Sequence, residues 1–197
     1  MEVTKFLSEY YGSYDEDNRL RSRHGSVEFL TTMRYVQKYL KPGMCVLEIG
    51  AATGRYSHTL GRQGYKVDAV ELIEHNIEIF KRNTQPGEDV RIYQGNAKHL
   101  DMLSDDTYDV TLLLGPMYHL FTVPEQLEAL SEAIRVTKKG GIVFAAYCGN
   151  EATMVQYCFG RGMIREQRYR DLIDPVTFKS STDPAELFEL YRKEDID

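Results

Sequence analysis

The sequence predicts an α/β fold: a doubly wound parallel sheet covered by helices on both faces. Three observations carry this. Short apolar runs alternate with segments of helical period through residues 27–148, and such alternation yields right-handed βαβ units. The stretch Val46-Leu47-Glu48-Ile49-Gly50-Ala51-Ala52-Thr53-Gly54 passes from an apolar strand into a small-residue turn and then a helix. Such a turn lets a ligand approach the backbone, and the helix after it points free N–H groups at the ligand. Finally, each polar motif discussed below follows a strand, where open α/β sheets place their ligands.

The elements read as follows. Phe29, Met33, Val36 and Leu40 recur at helical spacing, and Lys41-Pro42-Gly43 ends that helix. Met44–Ile49 is the first strand, Arg55–Arg62 a short helix closed by Gly64, and Lys66–Val70 a second strand ending at Glu71. Ile73, Ile77 and Phe80 mark a helix, and Val90–Tyr93 a third strand. Tyr108–Leu114 is nearly all apolar, as befits a strand buried on both faces. Pro124 opens a helix with Leu127, Leu130 and Ile134 on its apolar side, and Gly141–Cys148 is the fifth strand.

At 197 residues the chain is expected to form one domain, 1–197, with a proper core. A net charge of −6 argues against electrostatic binding to nucleic acid, which requires a basic surface. Cys45, Cys148 and Cys158 show no metal-ligand spacing, so structural thiols and no metal are expected. There is no run of 18 apolar residues, and Met1-Glu2-Val3-Thr4-Lys5 does not open a signal peptide. The expectation is a cytoplasmic protein with no membrane partner.

The loop itself discriminates between nucleotides. A dinucleotide fingerprint places glycines at its first, third and sixth positions, which here are Gly50, Ala52 and Arg55. Only the first matches, and arginine cannot substitute for the glycine that lets helix and strand pack closely. Glu71 lies 21 residues beyond Gly50, where a carboxylate can accept from the hydroxyls of an unphosphorylated ribose. Gly95-Asn96-Ala97 follows the third strand, and Leu113-Leu114-Gly115-Pro116-Met117-Tyr118-His119 the fourth.

Taken in order, these motifs resemble those of the class I S-adenosylmethionine-dependent methyltransferases. The resemblance covers about residues 27–148, and the Leu-Gly-Pro-x-Tyr-His-Leu segment resembles a subgroup of small bacterial members. It implies a Rossmann-like sheet of parallel strands in order 3-2-1-4-5 and S-adenosyl-L-methionine as cofactor. The cofactor residues it implies are Glu48, Gly50, Ala51, Gly54, Glu71, Leu72, Asn96, Ala97 and Leu114, with Asn96 bonding the adenine amino group. Amino-methylating members carry Asn/Asp-Pro-Pro-Tyr after the fourth strand. Gly115 offers no such side chain, which points away from that chemistry.

The expected activity is methyl transfer to a small-molecule acceptor by in-line displacement. The chain would mainly align the reactants and exclude water. His119 is the candidate base and Tyr118 the candidate pocket residue, although both also read as packing residues. Alternatives are an NAD-dependent oxidoreductase and a non-catalytic S-adenosylmethionine-binding module. Residues 1–26, with Tyr10, Tyr11 and Tyr14 among arginines, read either as a lid or as an arm. Residues 149–182 read as a substrate-side insertion, and its Arg161, Arg165, Arg168 and Arg170 as a solvated face or an acidic-acceptor site. Residues 183–197 read as the start of a fifth helix, with Leu187 and Leu190 on its apolar side. The family's antiparallel C-terminal hairpin is missing, so a truncated form is expected. Its bare fifth strand would need a covering helix or a homodimer.

Overall fold

The computed structural model describes residues 2–181 and 188–196. Helices α1 (Glu2–Ser13), α2 (Glu16–Arg19) and α3 (Arg23–Val36) precede strand β1 (Cys45–Ile49). The βαβ alternation follows as α4 (Arg55–Arg62), β2 (Lys66–Glu71), α5 (Glu74–Asn83), β3 (Val90–Gln94), β4 (Tyr108–Leu113), α6 (Val123–Val136) and β5 (Thr137–Ala145). The five strands form one sheet in the order β3-β2-β1-β4-β5, with every pairing parallel. This is the predicted Rossmann-like order, and β1 lies at its centre.

The centre is apolar because each neighbour buries a face. Val46 and Val67, with Phe29 and Met33 of α3 and Leu60 of α4, fill one layer. Leu47, Ile49 and Leu113, with Ala129, Ala133 and Val136 of α6, fill another. Arg55–Arg62 and the β2 range match the sequence reading. Helix α3 ends earlier than Leu40, because the chain leaves helical geometry after Val36 and turns before Lys41.

Three expectations need correction. The face of α6 that packs on the sheet is Ala129, Ala133 and Val136, while Leu127 and Ile134 are 56% and 58% exposed. Small residues let this helix lie close to β4 and β5, and the larger apolar side chains are left outside. The fifth strand begins at Thr137, four residues early, and breaks after Ala145. Cys148 belongs instead to β6 (Cys148–Gly149).

The third concerns the C-terminus. Residues 182–187, where the fifth helix was expected to begin, lie outside the described residues. Leu190 is not helical: it opens β7 (Leu190–Tyr191), which pairs in parallel with β6. β7 stands where no strand was expected. It is held from the side as well, since Tyr191 donates its hydroxyl proton to the Met117 carbonyl at 3.2 Å. Among the described residues between β6 and β7 are short helical turns, including α7 (Asn150–Thr153), a π-turn at Met154–Phe159 and α8 (Gln167–Arg170).

Candidate cofactor and acceptor site

The loop after β1 is shaped by its backbone. Gly50 and Gly54 have φ of +78° and +87°, which glycine adopts without strain. A Cβ on Gly50 would strike the Pro116 ring at 2.7 Å, so the loops after β1 and β4 touch at a point that admits no side chain. Gly50 N–H and Ala51 N–H both donate to the Val70 carbonyl, at 2.9 and 3.1 Å, which ties the turn to β2.

Two carboxylates fix the same loop. Glu48, 2% exposed, accepts from both the backbone N–H and the hydroxyl of Ser57, in the first turn of α4. It therefore caps that helix from the strand beneath. Burial pushes its carboxyl up to about 8, against the downward pull of the Ser57 donors. Glu71, 6% exposed at the end of β2, spans two loops. One oxygen accepts from Ala52 N–H and the other from Ile73 N–H, both at 2.8 Å. Desolvation raises this carboxyl too, opposed by those backbone donors.

Leu72 and Ala97 take apolar positions, Leu72 packed beside Ile73 and Ala97 buried in the main core. The Asn96 Oδ1 accepts from Lys98 N–H at 3.0 Å and so shapes its own turn. A carbonyl oxygen has a second lone pair, and the amide keeps its donors, so a base contact is compatible with that turn. Leu114 N–H donates to the Ile49 carbonyl at 3.3 Å and stands beside the β1 loop. The fold thus gathers Gly50–Gly54, Glu71 and Asn96 at the ends of adjacent strands β1, β2 and β3.

The N-terminal helix reaches this rim. Leu7 of α1 packs with Ile73 and Leu72. The Tyr11 hydroxyl lies 3.0 Å from His119 Nε2, and the two rings meet edge-on at 6.0 Å between centroids. Burial raises the Tyr11 phenol strongly, so it keeps its proton and can donate to a neutral imidazole. Phe188 completes the cluster, with its centroid 5.0 Å from His119 and stacked on Tyr118 at 5.8 Å. Tyr118 itself turns back to donate to the Leu114 carbonyl at 3.1 Å. Its ring shapes the cluster, and its hydroxyl holds the loop.

Sequence reading did not find Ser57 or Phe188, and it named Tyr11 in a possible lid without its partner. Tyr11 and His119 are 108 positions apart, and nothing local marks them as neighbours. The four arginines of residues 161–170 do not converge. Arg161 lies over the Tyr157 ring, Arg168 pairs with Glu166, and Arg170 donates to the carbonyls of Ile164 and Arg165. Among the described residues no group of three His, Cys, Asp or Glu is placed to hold a metal ion, and no helix is long and apolar enough to cross a membrane.

Sheet order and parallel pairing together define a Rossmann-like α/β class of protein. More particularly, residues 46–141 match the family model described as a methyltransferase domain. Over 117 residues the chain is 31% identical to a demethylmenaquinone methyltransferase of Lysinibacillus sphaericus, covering 57% of this chain and 47% of that one. The structure is similar to a SAM-dependent methyltransferase of Methanosarcina mazei, with TM-score 0.61 and 16% identity, covering 82% of this chain and 79% of that one. It is also similar to phosphoethanolamine N-methyltransferase 1 of Haemonchus contortus, solved with phosphoethanolamine and S-adenosylhomocysteine. There the TM-score is 0.60 and the identity 20%, over 74% of this chain and 32% of that one. The chain spans about half the length of the curated relatives it matches.

Proposed function

We propose that the chain is an S-adenosylmethionine-dependent methyltransferase acting on a small-molecule acceptor. The observation that carries this is the row of strand ends: the Gly50–Gly54 turn, buried Glu71 and Asn96 side by side, within the span that matches the methyltransferase-domain model. The donor set fits the cofactor. Glu71 offers carboxylate oxygens for ribose hydroxyls, Asn96 an amide for a base edge, and Leu72 and Ala97 apolar contact. Glu48 and Ala51 act through the loop, Glu48 by capping α4 and Ala51 by its bond to β2. When bound, the cofactor supplies an electrophilic methyl group.

The remaining work falls to the chain's own residues. α1 covers the rim at Ile73 and His119 and so helps to exclude water. His119 Nε2, now facing Tyr11, would take the proton of a hydroxyl acceptor once Tyr11 yields its place. Gly115 brings no side chain to an amine. A demethylmenaquinone methyltransferase among the relatives favours an aromatic or quinone-like acceptor over a peptide or nucleic acid.

The test is thermal. S-adenosylhomocysteine at 100 times its dissociation constant is expected to stabilise the chain by about 2.7 kcal/mol, with no shift from NAD. Glu71→Gln should weaken that binding about tenfold or more, since it removes a charged acceptor. A shift with NAD alone would make the oxidoreductase reading the better one. Binding of S-adenosylhomocysteine without methyl transfer to any phenol, catechol or quinol would leave a binding module.

A further inference from the structure

Beside the β1 loop, a cleft of about 210 Å³ opens between α2 and the residues after it, the helix α4 and the last turn of α5. Its wall includes Arg21, Arg55, Arg62 and Arg82, together with Thr53 and His58. Of the residues assigned above to the cofactor, Thr53 of the Gly50–Gly54 turn lines it, and none of the acceptor residues does. Four guanidinium groups around one small space are unexpected in a chain whose net charge is −6.

The positive charge there is only partly matched. Arg62 pairs with Glu88 at 2.7 Å, whereas Arg21 stands 4.0 Å from Asp17, whose other oxygen accepts from Asn83. Arg55 and Arg82 have no carboxylate within ion-pair distance among the described residues. Arg55 is held in place by the Phe29 ring, 4.7 Å below its guanidinium carbon. Burial, followed by the nearby charges of Arg21 and Arg62, lowers its affinity for its proton. Two buried nitrogens at this wall, Arg55 Nε and His58 Nε2, have no hydrogen-bond partner. His58 is 4% exposed, and its other nitrogen lies 2.8 Å from Glu88. The unpaired Arg55 Nε–H, a donor beside converging like charges, is costly unless an anion completes the set.

We propose that this cleft binds the phosphate or diphosphate group of a small molecule, held by Arg21, Arg55 and Arg82 with Thr53 beside them. Arginine forks match the oxygens of a phosphate, and several donors from separate elements suit a multi-oxygen dianion better than chloride or a single carboxylate. Besides one carboxylate, Asp17, the wall is guanidinium, imidazole, amide and hydroxyl, with the guanidinium groups in excess, which suits an anion rather than an apolar body. Arg21, Arg55 and Arg82 are not among the residues assigned to the cofactor, so loss of binding here and loss of cofactor binding are distinguishable.

Calorimetric titration of the full chain with inorganic pyrophosphate tests this, with inorganic phosphate and adenosine 5′-diphosphate as further arms. Acetate at matched ionic strength is the control. One saturable site is expected for pyrophosphate, weakened about tenfold or more by combined Arg55→Gln and Arg82→Gln. Should the double variant fold poorly, exposed Arg82→Gln alone is expected to weaken binding about threefold or more, with partial recovery in Arg82→Lys. The tighter of the pyrophosphate and nucleotide arms identifies a free or an esterified ligand. In each folded variant, binding of S-adenosylhomocysteine should match that of the parent chain. Three results would overturn the proposal: no saturable heat, equal binding by the variants, or a response that acetate reproduces.

Discussion

Ala52 holds a left-handed backbone, φ +48°, in the middle of the β1–α4 loop. Such a conformation costs an L-residue about 1–2 kcal/mol, and the Glu71 carboxylate helps to hold it by accepting the Ala52 N–H. An alanine at this position carries backbone strain that a glycine would not. Ala52→Gly is expected to raise the unfolding free energy by about 0.5–1 kcal/mol, read from the urea midpoint at unchanged slope. Glu48 makes stability depend on pH. Its carboxyl, ordinarily near 4.5, is held up at about 8 in the folded chain. Between those values the native state binds more protons than the unfolded chain. Its contribution is therefore complete below pH 4.5 and is lost as pH rises through 8. Glu71, also raised, acts with the same sign. Melting temperature should decline from about pH 5 to pH 8, and Glu48→Gln should flatten that decline.

Helix α6 separates apolarity from burial. Its sequence shows Leu127, Leu130 and Ile134 at helical spacing, but the sheet accepts the stripe of Ala129, Ala133 and Val136. Ala133 is fully buried and Leu127 is not. Ala133→Leu should therefore overpack the layer and cost about 1–3 kcal/mol, whereas Leu127→Gln should stay within about 0.5 kcal/mol. Chemical denaturation of the two variants checks both. Helix α1 shows the converse. Its tyrosines leave open whether the segment is a lid or an arm, and only its contacts with Ile73 and His119 favour the lid.

The whole molecule divides by density of support. β1 is paired on both sides and almost wholly buried, while the segment from α7 to α8 is made of short turns with Val155 and Phe159 exposed. Amide hydrogen exchange is expected to show β1 and β4 opening only with global unfolding. Residues 150–181 should exchange at least about tenfold faster through local opening. Equal protection throughout would contradict this division. Most of the parallel sheet and the loop after β1 were legible in the chain. Strand periods, turn glycines and an acidic residue at the end of β2 are local signals, each carried within a dozen residues. The same holds for the loop glycines, since a sharp turn against a neighbouring loop leaves few other residues. What local signals do not carry is distance. That alanines face the sheet, that Tyr11 meets His119, and that four arginines share one cleft all depend on side chains far apart in sequence. Those contacts are set by packing, because a folded layer accepts whichever face fits its spacing.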